Sequence, residues 1–98
     1  MIELRYSEHA LHDIQRLTDF LIVSDPAAAL DTASVIFEAI AILAHSPEIG
    51  CKVHAGHREL VISRGRTGYL ALYRFLPNVQ RVLVLALRHQ REAGYRSS

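Results

Sequence analysis

A chain of 98 residues buries roughly 60–65% of the surface its unfolded form would expose, enough for one core and not for two. A composition of 50% hydrophobic and 21% charged residues, with 5 Gly and 3 Pro, excludes disordered, collagen-like and low-complexity chains. The formal net charge is only +1.

In chain order, Ile2 to Tyr6 alternates apolar and polar residues, the period of a half-buried strand. Ser7 then supplies an N-cap oxygen and Glu8 a first-turn negative charge. Ala10, Ile14, Leu17 and Leu21, with Leu11 beside them, form the apolar stripe of a first helix that stops near Ser24. Asp25-Pro26 starts a second helix, with Asp as cap and Pro where a missing N–H costs nothing. Its predicted buried stripe is Leu30, Ala33, Phe37, Ile40 and Ala44, widened by Ile36 and Leu43. So short a connection folds the two helices back as an antiparallel hairpin, which Ser46-Pro47 and Gly50 close.

After Gly50 the period changes. Strands are predicted over 59–63, 69–76 and 81–88, separated by a Gly65/Gly68 turn and a Pro77-Asn78 break. The last is the most apolar and is expected in the interior of the sheet. Residues 89–98 read as a short helix or a loose tail. The resulting fold is a two-layer α+β domain over 1–98: an N-terminal strand and a helical hairpin packed on an antiparallel β-meander, in the order β-α-α-β-β-β.

No run approaches about 18 uninterrupted apolar residues, so no membrane span is expected. The first residues lack a basic segment followed by an apolar one, and the single Cys51 cannot build a disulfide framework; both fit a reducing cytoplasm.

The small net charge hides a division. Residues 1–50 carry eight carboxylates against two arginines, a net of −6, whereas residues 51–98 carry nine basic side chains against two acidic ones, a net of +7. Ten of the eleven basic residues are Arg, the side chain suited to bidentate phosphate or carboxylate contact. The basic half therefore points to an anionic partner.

Two clusters carry chemistry. The first is Arg88-His-Gln-Arg-Glu-Ala-Gly-Tyr95 at the exit of the last strand. Arg88 and Arg91 suit phosphate clamping, and His89 or Glu92 suits acid–base work. The second is Lys52, His54, His57 and Arg58, with Arg64 and Arg66 on the turn. Tyr69, Tyr73 and Phe75 share one strand face, an arrangement that suits either base stacking beside arginines or core packing. The six histidines have no zinc-like ligand set, Cys51 has no catalytic third member, and there is no phosphate-binding loop or dinucleotide fingerprint. No metal or cofactor is expected.

Element order and motifs together resemble the RelE/ParE superfamily of type II toxin–antitoxin toxins. The resemblance rests on the helical hairpin, Ser46-Pro47-x-x-Gly50, Arg58-Glu59-Leu60, Gly68-Tyr69-x-x-x-Tyr73-Arg74 and the final strand entering Arg88-His89-x-Arg91-Glu92. The superfamily holds two mechanisms, ribosome-dependent mRNA endonucleases of the RelE type and ParE-type poisons of DNA gyrase. The RelE pattern places an arginine after the Gly-Tyr pair and lysines on the preceding strand; here those positions are Leu70 and Leu60-Val-Ile-Ser63. Arg91 matches the pattern's C-terminal arginine, and Tyr95 lies near its aromatic at a different spacing. The resemblance thus favours the ParE branch.

On the RelE reading, His89, Arg91 and Glu92 are the catalytic set. On either reading, Arg58, Arg64, Arg66, Tyr69, Tyr73, Arg74, Arg88, Arg91 and Tyr95 are the binding set for target or antitoxin. The resemblance also implies a cognate antitoxin with a disordered or helical acidic segment, and gyrase or ribosome-bound mRNA as target. A nucleic-acid-binding module without toxin activity is the reading from a different class, and it predicts salt-dependent binding to bare DNA or RNA.

Overall fold

A computed structural model describes residues 2–64 and 67–96. Strand β1 (Glu3–Tyr6) leads into helix α1 (Glu8–Ile22) and helix α2 (Pro26–Ala41), which a 3-10 turn extends over Ile42–Ala44. Strands β2 (Cys51–Lys52), β3 (Arg58–Arg64), β4 (Thr67–Leu76) and β5 (Arg81–His89) follow. Both expected caps form: Ser7 Oγ accepts from the Ala10 N–H at 3.0 Å, and Asp25 Oδ1 accepts from the Ala28 N–H at 3.1 Å.

The strands make one five-stranded sheet in the order β1-β5-β4-β3-β2. The β3-β4-β5 meander is antiparallel as expected, and β5 lies in the interior between β1 and β4. Two features had no local signal. β1 pairs in parallel with β5, Glu3 opposite Arg81, across 78 positions of sequence. The strand Cys51–Lys52 has only two residues, too short to display a period. A register shift falls between Leu72 and Tyr73 of β4. The segment beyond β5 forms turns and bends, the looser of the two expectations.

The core lies between the hairpin and one sheet face. Ala10, Ile14 and Leu17 from α1 and Ile36, Ile40 and Leu43 from the second helical arm meet Ile62, Tyr73, Val82, Val84 and Leu87. The α2 stripe departs from expectation: Ala29, Thr32, Ile36 and Ile40 are buried, whereas Leu30 and Phe37 are exposed. So apolar a helix offers two hydrophobic faces, and periodicity alone does not choose between them.

Residues 26–44 also form a 19-residue helical segment of mean hydropathy 1.8, long and apolar enough to cross a membrane by length and composition, though here one arm of the hairpin. The uninterrupted-run criterion passed over it because Asp31 and Glu38 break the run without lowering the mean much.

Candidate binding cleft and its arginines

The site begins with a carboxylate on an apolar stripe. Asp13 stands between Ala10 and Leu17 on the inner side of α1 and is 3% exposed. Its Oδ2 accepts a hydrogen bond from the backbone N–H of Leu87 at 2.9 Å, fastening α1 to the end of β5. His9 Nε2 lies 3.4 Å from the same oxygen and Arg16 Nη2 3.4 Å from Oδ1. Arg16 then reaches across, its Nη1 donating to Glu92 Oε1 at 3.1 Å.

Glu92 Oε1 also accepts from the His89 backbone N–H at 3.0 Å, and Arg96 Nε stands 3.5 Å from Oε2. Burial raises the pKa of this carboxyl, but the His89 N–H, Arg16 and Arg96 outweigh burial and hold it below its ordinary value. His89 Nδ1 accepts the backbone N–H of Arg91 at 3.1 Å, which leaves the proton of a neutral ring on Nε2. The His89 ring packs edge-on against Tyr69, centroids 5.3 Å apart.

These groups wall a cleft of about 490 Å³ between α1 and the sheet. The helix side is Arg16, Leu17, Phe20 and Leu21; the sheet and tail side is Tyr69, His89, Arg91, Glu92 and Arg96. Phe20 is 84% exposed at this rim. Arg91 is exposed, and its guanidinium has no partner among the described residues.

Strand alternation puts Arg88 on the face opposite His89. There its Nη1 donates to the Glu92 carbonyl at 2.6 Å, and its guanidinium carbon lies 5.2 Å from the centre of the Tyr95 ring. The Tyr95 hydroxyl donates to Glu59 Oε2 at 2.7 Å, carrying the tail across to β3. Burial and the Glu59 carboxylate push the Tyr95 phenol well above its usual range.

The sequence-predicted set therefore divides. His89, Arg91, Glu92 and Tyr69 come together at the cleft, while Arg88 and Tyr95 pair on the other face. Arg58 is an internal clamp, its Nη1 donating to the Glu48 and Gly50 carbonyls, both at 2.9 Å. Tyr73, expected in the binding set, is fully buried; it donates its hydroxyl to the Pro47 carbonyl at 2.8 Å and accepts the Gly50 N–H at 2.9 Å, so its polar group is met inside the chain. Arg74 is exposed on β4, away from the cleft. Arg66 lies outside the described residues, as does the side chain of Arg64. Asp13, Arg16 and Phe20 were missed. Only Asp13 left a trace, as a carboxylate at a stripe position that should be apolar.

The model of a family described as the ParE toxin of the type II toxin–antitoxin system, parDE, matches residues 4–94. The chain belongs to that family. Its fold is similar to a chain of the chromosomal ParDE TA system from P. aeruginosa, at TM-score 0.77 and 22% identity over 91% of this chain and 96% of that one. It is also similar to a chain of the toxin–antitoxin complex RelBE2 from Mycobacterium tuberculosis, at TM-score 0.63 and 23% identity over 93% of each chain. A chain of the intact E. coli RelBE toxin–antitoxin complex aligns at TM-score 0.65 and 15% identity, over 94% of this chain and 100% of that one. No curated protein matches. The ParE-family chain is thus a toxin component of a type II toxin–antitoxin system with the fold that ParE and RelE systems share.

Proposed function

We propose that this ParE-family toxin acts in the cytoplasm by binding DNA gyrase, and that a cognate antitoxin neutralises it by laying an acidic segment on the arginine-bearing cleft. The observation that carries the reading is the state of the candidate catalytic set. RNA cleavage by its own 2′-hydroxyl needs a free base, a free acid and charge for the phosphorane. Glu92 is held ionised and is engaged by Arg16, Arg96 and the His89 N–H, so it neither carries a proton to give nor stands free as a base. The lone pair of His89 Nδ1 is engaged by the Arg91 N–H and is not free to take a proton from a substrate. What faces outward is Arg91 beside Phe20 and a cleft floored by Leu17 and Leu21, a surface for holding an anionic chain with an apolar side chain.

A supercoiling assay with the purified chain tests this. The expected result is lost supercoiling with trapped cleaved DNA, both relieved by the partner protein. Replacing Arg91 and Arg96 together with Ala should lower target or antitoxin affinity about tenfold and leave the melting temperature unchanged. Folded protein without effect on gyrase overturns the reading and transfers His89, Arg91 and Glu92 to ribosome-bound mRNA cleavage.

A further inference from the structure

The basic cluster around Lys52 and His57 takes no part in the cleft. It borders a second cavity, of about 410 Å³, at the other end of the sheet, where the loop between β2 and β3 meets the end of β4. Lys52, Gly56 and His57 line one side, and Phe75 with Pro77 supplies an apolar side. Arg58 and Glu48 also line it but are already engaged. Arg58 Nη1 holds the Glu48 and Gly50 carbonyls, and its Nη2 lies 3.4 Å from Glu48 Oε2. Lys52 and Arg74 are exposed, and neither cation has a partner among the described residues. Arg74 stands beside Gly56, where an added Cβ would lie 3.8 Å from its Nη2. The loop adds to this charge. Ala55 and Gly56 both have left-handed backbone, φ 61° and 74°, a conformation that is strained for alanine and persists only where its surroundings hold it. Successive N–H groups in such a turn form a concavity for an anion. Neither the Ala55 nor the Gly56 N–H makes a hydrogen bond among the described residues. Next in the chain, His57 Nδ1 is buried without a partner.

We propose that this second cavity is a nucleotide site. Lys52, Arg74 and the Ala55 and Gly56 amides take the phosphate, and Phe75 with Pro77 takes the base or sugar by apolar contact. The one carboxylate at the site, Glu48, has its charge met by Arg58 and leaves the two free cations to the ligand. The cavity falls within the size range of small-ligand sites and is larger than a phosphate ion needs. A free nucleotide and one unit of a nucleic-acid strand offer the same chemistry. The inference goes beyond the gyrase reading and stands without it, because the two cavities share no residue.

The test is an NMR titration of the full chain with adenosine 5′-monophosphate at low salt. The Ala55 and Gly56 amides should shift, with a dissociation constant of about 0.1–1 mM. Adenosine and inorganic phosphate each lack one half of the contacts and should bind at least about tenfold more weakly. Lys52→Ala and Arg74→Ala should each lower the affinity about fivefold and leave melting unchanged, because both side chains are exposed. A short oligodeoxyadenylate distinguishes the two sources, and either result supports the site. Tighter binding with a steeper salt dependence than the mononucleotide shows identifies a strand, and binding no tighter identifies the free nucleotide. Amides that stay unmoved at about 10 mM nucleotide overturn the proposal. So does binding that is lost in Arg91→Ala and kept in Lys52→Ala, which moves the site to the cleft. Hexaglutamate binding as tightly as the nucleotide overturns it in favour of an acidic peptide.

Discussion

The two ends of the sheet use the same chemical groups to opposite effect. Where β4 runs out, Tyr73 is fully buried with its hydroxyl bonded to Pro47 and Gly50, and Arg58 closes over the Glu48 and Gly50 carbonyls. Where β4 begins, Asp13 and Arg16 form a similar internal network with Glu92, but Arg91 and Phe20 are left facing water beside it. A tyrosine and an arginine that spend their polar groups on the chain's own carbonyls fix a loop to a sheet. An arginine beside exposed apolar surface, on a platform that other groups hold rigid, is available to a partner. Residue type does not separate these roles; the count of unmet contacts does.

The largest expected effect breaks the sealed end. A Cβ on Gly50 would lie 2.6 Å from Tyr73 Oη and 2.9 Å from the Glu59 carbonyl oxygen. The second neighbour is backbone inside a strand pair and has little room to move. Gly50→Ala should therefore cost about 3 kcal/mol of stability, read from the thermal midpoint by circular dichroism. A change within about 0.5 kcal/mol would mean that the Pro47–Gly50 loop is not held by Tyr73.

A smaller loss is expected at the open end. Asp13→Ala leaves the buried Leu87 N–H without an acceptor and removes one of the two carboxylates facing Arg16. The cost should be about 2 kcal/mol by urea unfolding. It should also weaken partner binding, because α1 is no longer tied to the strand end that carries the cleft. Unaltered stability would show that β5 does not depend on this tie.

How much of this was legible follows the range of the interactions. Ser7 and Asp25 announced their helices because capping acts within one turn of the chain. The meander was legible because its turn residues lie between its strands. The parallel β1-β5 pair was not, since nothing near Glu3 signals a partner at Arg81. The outward turn of Leu30 and Phe37 was hidden for another reason. α2 has apolar residues on both sides, and only packing against the sheet selects Ile36 and Ile40 for the core. At the cleft, sequence grouped His89, Arg91 and Glu92 because they lie within four residues, and it passed over Arg16, whose partner Glu92 lies 76 residues away.

The smallest expected effect sharpens the comparison by pH. Glu92 has a folded pKa below its ordinary 4.5, so the folded state binds fewer protons than the unfolded chain in acid. The stability it contributes is fully present above that ordinary value and is lost as pH falls through the lowered folded one. Melting temperature should therefore decline from about pH 5 downward, less steeply in Glu92→Gln than in the unaltered chain. Glu3, also lowered by Arg5 and Arg81, adds the same background to both proteins, so the difference between the slopes belongs to Glu92. Coincident slopes would make Glu92 a solvated surface group. Arg16 and the His89 N–H would then lack the anion that organises them, and the open end of the sheet would present a loose set of cations where we describe a positioned cleft.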